Sequence, residues 1–369
     1  MPVKKEPKYK QAISHLLMRF REEPYQSGQQ LPTEFDLMKQ LSLSRTTVRQ
    51  AIKELTEQGI VERRHGSGTY FLGFNQKAPS CTVGMVGLVN FYFTDYIYPE
   101  IIRGIEETID EAGLSLALAN SREGIDKEIS SVERLIDQGV KGLILEPSRN
   151  LQIREDHPLI RLLDTVDIPV VTTHWGIADK RLSTVTIDDV QAGYEATRYL
   201  LDKGHRRISI VYKEDVQAGY DRYLGYRKAM EEFGIRIPHE LIRTYNDKDE
   251  SLDVRQGYLQ TQALLEGEVR PTAIFFFNDN IAAQGYGALQ ESGINIPGDI
   301  SVIGFDNFRN ADMLYPPLTT FEHPKYNLGK WAAKILLDEM DASRPMIPMK
   351  LVFEPILVER DSVRDLRKV

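Results

Sequence analysis

A single cysteine, Cys81, stands in 369 residues. One thiol closes no intrachain disulfide and builds no cysteine-rich metal site, and it suits a reducing compartment. Apolar runs are short, and none approaches the roughly eighteen residues of a membrane-crossing helix. The opening Met1-Pro2-Val3-Lys4-Lys5-Glu6 has no apolar secretory core, so the expected location is the cytoplasm, free of the membrane. Low-complexity tracts and internal repeats are missing. So are a nucleophile elbow, a phosphate-binding loop and a metal-ligand cluster. The expectation is a protein that is not an enzyme and needs no cofactor.

What is present is unevenly charged. Residues 1–75 carry twelve Lys and Arg against eight Asp and Glu, or +4, so the remainder carries −12 of the net −8. A basic head on an acidic body places a polyanion at the head.

The head is organised around Ser44-Arg45-Thr46-Thr47-Val48-Arg49-Gln50-Ala51-Ile52-Lys53-Glu54-Leu55. At helical spacing Val48, Ala51, Ile52 and Leu55 share one face and Arg45, Arg49 and Lys53 the other, with Ser44 as N-cap. Arginines in the first turns of such a helix suit guanine edges or phosphates in a major groove. Taken alone, the pattern is more commonly a solvated surface helix. Its neighbours weigh against that. Thr33 with Asp36 forms a capping-box pattern for a preceding helix, and Ser42-Leu43 gives helix-turn-helix spacing. Gly59 to Phe71 reads as two strands around a glycine-rich tip, a basic wing. Lys8 to about Glu22, with Ile13, Leu16, Leu17 and Phe20, supplies a supporting helix.

These pieces resemble the GntR family of bacterial winged-helix regulators through Leu31-Pro32-Thr33-Glu34, Ser44 to Ala51, Leu55, Gly59 and Arg64-His65-Gly66-Ser67-Gly68-Thr69. The resemblance implies DNA contacts from Arg45, Thr46, Thr47, Arg49 and Lys53, with His65 and Gly66 at the wing tip. Two residues depart from the pattern. Phe35 stands where many members carry arginine, and Ser42 where a turn glycine is common.

Residues 74–81, with Pro79, lose periodicity and read as a linker between a head at 1–73 and a body at 82–369. In the body short apolar runs alternate with longer helical patterns up to Asp306, which predicts parallel α/β sheets in two lobes. Ligands of such sheets lie beyond the carboxyl ends of strands. That rule selects the residues after Val89, then Glu146, Arg149, His174, Asn278, Asp279, Asp306 and Asn307, with Tyr96, Tyr98 and Trp175 among them. Mixed donors and acceptors beside aromatics suit a sugar. Singly, each Asp or Asn is as readily a helix cap, and Asp188-Asp189 reads as capping.

The body is similar to LacI-type effector domains through Tyr98 to Glu106, Asp188-Asp189, Gly204 to Ile208, Arg222 to Tyr226, Pro271 to Ile274, Asn278-Asp279 and Asp299 to Asp306. The whole chain resembles the arabinose-responsive repressors of Gram-positive bacteria, notably in Thr94 to Pro99 and Leu143 to Pro147. The resemblance implies a homodimeric repressor of double-stranded operator DNA, released by a monosaccharide such as L-arabinose. Its effector residues would be Asp95, Tyr96, Tyr98, Glu146, His174, Arg222, Asn278 and Asp306. Another pentose or a hexose, activation instead of repression, and a sugar-processing enzyme fused to a winged helix stay open at this point.

Overall fold

The computed structural model describes residues 8–22, 28–57, 60–64, 67–72, 84–91, 96–121, 124–147, 157–177, 182–341 and 347–368. The chain divides into two compact units, Met1–Val83 and Gly84–Val369. The linker reading at 74–81 and Cys81 lie outside the described residues.

The first unit holds α1 (Lys8–Glu22), α2 (Glu34–Leu41), α3 (Arg45–Glu57), β1 (Val61–Arg64) and β2 (Gly68–Phe71). Thr33 and Asp36 form the reciprocal capping box that starts α2. Ser42 ends α2 in the left-handed region, at φ 52°, the conformation that glycine takes more cheaply. The apolar face of α3 (Val48, Ala51, Ile52, Leu55) is buried against Ala12, Ile13, Leu16 and Phe20 of α1 and Phe71 of β2. β1 and β2 pair antiparallel from Val61 opposite Phe71 to Arg64 opposite Gly68, which makes the wing.

The second unit begins β3 (Met85–Asn90), α4 (Tyr98–Glu111), β4 (Ser115–Asn120), α5 (Ile125–Asp137), β5 (Gly142–Leu145), α6 (Pro158–Asp164), β6 (Val170–His174) and β7 (Ser183–Ile187). It continues α7 (Asp189–Asp202), β8 (Ile208–Lys213), α8 (Gln217–Glu232), β9 (Ile242–Tyr245), α9 (Asp247–Leu252), α10 (Gln256–Glu266), β10 (Ala273–Phe276), α11 (Asp279–Glu291) and β11 (Ser301–Ile303). The last elements are β12 (Thr320–Glu322), α12 (Lys325–Glu339), β13 (Lys350–Phe353) and β14 (Ile356–Val358).

Two parallel sheets result, as expected of strands that read as continuous apolar runs. Lobe 1 is built on β13-β7-β6-β5-β3-β4 and lobe 2 on β11-β10-β8-β9. The chain passes between lobes three times: after β7, from β12 into α12, and from β13 into β14. β12 and β14 pair antiparallel at these crossings. α12 returns to lobe 1, where it packs on α4, β5, β6 and β7.

The sequence reading of alternation stops at Asp306 and does not register α6, β9, α9, α11 or anything from β12 onward. The physical reason is composition. α11 and α12 bury their faces through small residues such as Ala282, Gly285, Ala332 and Ala333, which give weak hydrophobic periodicity.

Candidate functional site

In the first unit the polar face of α3 is open to solvent. Arg45, Thr46, Arg49 and Lys53 are exposed and Thr47 is half-buried. Ser44 caps the helix by accepting from Thr47 N at 3.3 Å, and its hydroxyl lies 2.9 Å and 2.8 Å from those of Thr46 and Thr47. Arg49 Nε donates to Glu34 Oε2 at 2.9 Å, Arg45 Nε stands 3.8 Å from the same oxygen, and Arg63 pairs with Oε1. Three arginines from two elements thus converge on one α2 carboxylate. Arg63 is a convergent cation that the sequence reading did not single out. Its signal was its place on β1, two residues from the predicted tip. His65 and Gly66 lie outside the described residues. Phe35 is exposed beneath Lys39, whose ammonium lies 4.5 Å from the ring centroid.

In the second unit one cleft between the lobes collects Tyr96, Tyr98, Glu146, His174, Arg222, Asn278 and Asp306. It encloses about 910 Å³ of space including its open mouth. Asp95 lies outside the described residues.

Each wall is built by a strand end. Glu146 follows β5, and its Oε1 accepts from Tyr98 OH at 3.0 Å. His174 ends β6 at φ 64°, with its Nδ1 3.1 Å from Glu146 Oε1 and its Nε2 3.2 Å from His323 Nε2. Burial opposes charge on His174. The Glu146 carboxylate, assisted by Asp189 and Asp306, outweighs it and raises the pKa above the usual histidine value. His323 is driven well below that value by burial and by the cations His174, Lys325 and Arg222 around it. The pair is therefore ordered. These opposite directions favour His174 Nε2 as donor and His323 Nε2 as acceptor, an arrangement that puts the proton of His323 on Nδ1.

Arg222 comes from α8. Gly193 and Gly225 let α7 and α8 touch backbone to backbone, since a Cβ on either would stand 2.0 Å from a carbonyl oxygen of the other helix. Arg222 Nε and Nη2 both meet Asp189 Oδ1 at 2.8 Å, and Nη1 donates to Phe277 O at 2.6 Å. The guanidinium lies 3.6 Å from the Phe305 ring centroid. Capping by the Asp188-Asp189 pair therefore holds for one member. Asp188 accepts from Gln191 N at 2.8 Å, whereas Asp189 is the buried counter-ion of Arg222. Asn278 caps α11 by accepting from Ile281 N at 3.0 Å, so it serves as a cap while lining the cleft. Tyr96 OH of lobe 1 donates to Asp306 Oδ2 of lobe 2.

Sequence reasoning missed His323, Lys213 and Asp247, which also line the cleft. Lys213 ends β8 and is paired with Asp247 at 2.7 Å and with Glu250. The strand-end rule would have found Lys213. His323 sits on a crossing, where no strand-helix pattern points to it.

Buried polar atoms without a hydrogen-bond partner concentrate here. Among the described residues they include Glu146 Oε2 and His323 Nδ1, whereas His174 Nδ1 faces Glu146 Oε1. Such atoms are uncommon in native structures. No group of three or more His, Cys, Asp or Glu among the described residues could hold a metal ion.

Comparison with known proteins agrees with this division. Residues 8–71 match the bacterial regulatory proteins of the gntR family, and residues 175–363 match the periplasmic binding protein-like domain. The arabinose metabolism transcriptional repressor of Geobacillus stearothermophilus is 31% identical over 363 residues, covering 98% of both chains. The transcriptional repressor PurR of Actinobacillus pleuropneumoniae is 33% identical over 273 residues, covering 73% of this chain and 78% of that one. Among solved structures, a LacI family transcriptional regulator from Enterococcus faecium with bound ribose superposes with a TM-score of 0.65. It is 26% identical and covers 76% of this chain and 99% of its own. The chain belongs to the family of bacterial transcriptional repressors that join a GntR-type DNA-binding head to a LacI-type, periplasmic-binding-protein-like body, and it is a regulator and not an enzyme.

Proposed function

We propose that this repressor is cytoplasmic and homodimeric, and that L-arabinose entering the cleft releases it from a pseudopalindromic operator of sugar-utilisation genes. The effector contacts are Asp95, Tyr96, Tyr98, Glu146, His174, Arg222, Asn278 and Asp306. The DNA contacts are Arg45, Thr46, Thr47, Arg49, Lys53, His65 and Gly66. The observation that carries the sugar reading is the pair of buried atoms Glu146 Oε2 and His323 Nδ1 in a cleft that also presents Phe91, Trp175 and Phe277. A carboxyl oxygen accepts and an imidazole N–H donates, while the rings cover an apolar face, which matches a polyhydroxylated ring.

Arabinose is favoured by the name of the Geobacillus relative, which aligns along the whole chain. The division into head 1–73, linker 74–81 and body 82–369 is supported by the two compact units, Met1–Val83 and Gly84–Val369. The cytoplasmic reading is supported by the absence, among the described residues, of a helix long and apolar enough to cross a membrane. The sugar releases DNA only as far as it binds the released arrangement of the lobes better, typically a coupling of about 1–3 kcal/mol.

The test is operator binding at fixed salt, since phosphate contacts make affinity steeply salt-dependent. The protein is titrated with L-arabinose, D-xylose, D-ribose and D-galactose. Release by arabinose alone supports the reading, release by another of the four reassigns the sugar, and release by none refutes it.

A further inference from the structure

Asp306 and Asn307 are consecutive non-glycine residues in the left-handed region, at φ 98° and 44°. Such strain persists only where surrounding bonds over-determine it, and it gathers at ligand clamps and switches. The bonds here are specific. Asn307 N donates to Thr320 Oγ1 at 3.3 Å, and its side-chain Nδ2 donates to Glu322 Oε2 at 2.5 Å; both partners are in β12. Its side-chain Oδ1 accepts from Arg360 Nη2 at 2.7 Å, just beyond β14. Lys325, the first residue of α12, reaches back to the carbonyl oxygens of both Asp306 and Asn307. One residue is thus tied to two of the three crossings, while its neighbour Asp306 faces the cleft and takes a hydrogen bond from Tyr96 of lobe 1.

We infer that Asn307 is a positioning residue that carries movement of Asp306, on sugar binding, into the crossing segments β12 and β14 and so into the relative setting of the lobes. The inference rests on the proposed effector reading. Asn307 does not line the cleft, so its contribution is to transmission and not to sugar affinity. Asparagine suits the post because it tolerates the left-handed backbone and offers both a donor and an acceptor.

Asn307→Gly isolates the transmitting bonds, since glycine takes the same backbone without strain and only the two side-chain bonds are lost. Three quantities are measured on full-length wild type and variant: operator affinity without sugar, L-arabinose affinity by calorimetry, and operator affinity at saturating L-arabinose. Coupled sites typically change affinity by about 5–150-fold. Asn307→Gly is expected to keep the first two within about threefold and to bring the ratio of operator affinities close to one. Arg360→Gln removes the same bond from the other side and lowers the ratio in the same direction. A variant released as fully as wild type overturns the relay, and so does one that loses arabinose affinity together with release. If wild type binds another of the four sugars instead, the comparison is made with that sugar and only the arabinose assignment changes. Wild type that binds none of them fails the effector reading, and the relay falls with it.

Discussion

Arg222 is held in place by its counter-ion as much as by its helix. Removing it strands the Asp189 carboxylate in a buried wall, and breaking a buried pair on one side costs about 3–5 kcal/mol. Arg222→Ala is therefore expected to lower the unfolding free energy by about that amount in denaturant titrations. It is also expected to stay on the operator at sugar concentrations that release wild type. Normal induction in this variant would remove Arg222 from the effector site. Arg49 has the opposite profile. It is exposed, and its Glu34 partner also serves Arg45 and Arg63. Arg49→Ala should leave stability and sugar affinity unchanged while weakening operator binding by about 1–3 kcal/mol for each half-site it reads. Gel-shift titration at fixed salt checks it, and unchanged affinity would sink the recognition-helix reading.

At the scale of elements, α11 begins on a carboxyl group in an unusual state. Asp279 accepts from Thr320 Oγ1 at 2.7 Å and from Phe308 N at 2.8 Å. Burial and the neighbouring Asp306 charge still raise its pKa from 3.8 to about 8. The folded body then keeps a proton that the unfolded chain releases near its ordinary value. Stability from this group is full below that value and declines as pH rises toward about 8. Asp279→Asn is expected to flatten the fall of Tm across pH 5 to 8; parallel slopes for the two proteins would refute the protonated state.

The same element shows where sequence reading reaches its limit. The recognition helix was legible because its buried face is made of Val48, Ala51, Ile52 and Leu55 at strict spacing, and the strand ends were legible because Val89, Leu145 and Phe276 close apolar runs. α11 and α12 were not, because helices that pack through Ala and Gly carry little periodic hydrophobicity. Glu146, His174 and Asp306 were nameable as candidates. Their sharing of one site followed from the strand-end rule, but the three chain crossings that join the lobes have no local signature. Nor could the sequence show that Asp189 abandons capping to pair with a residue thirty-three positions on.

For the molecule as a whole, the proposed dimer has a candidate surface on lobe 2. Leu252, Val254, Met313 and Tyr315 are exposed, Tyr315 at 86%. Both ends of this set are tied to α11: Gln284 Nε2 donates to Val254 O at 3.1 Å and Gln290 Nε2 to Tyr315 O at 3.2 Å. Replacing Met313 and Tyr315 together by aspartate is expected to shift the protein toward monomer in sedimentation velocity. Operator affinity should fall with it, because two half-sites are then no longer bound as one. A dimer that survives this change lies elsewhere.

The three crossings also govern how the protein is made. β13 completes the edge of the first sheet through its pairing with β7, and Ser362 and Arg364 bond to Val302 and Ser301 of the second. Neither layer is finished until residues 350–364 are in place. The head, by contrast, is complete within the first eighty or so residues. A chain that stops near residue 349 therefore carries every residue of the first unit but not the pieces that close the two sheets. Such a fragment lacks a strand of one lobe and the bonds of Ser362 and Arg364 to the other, so loss of residues 350–364 is felt in both sheets.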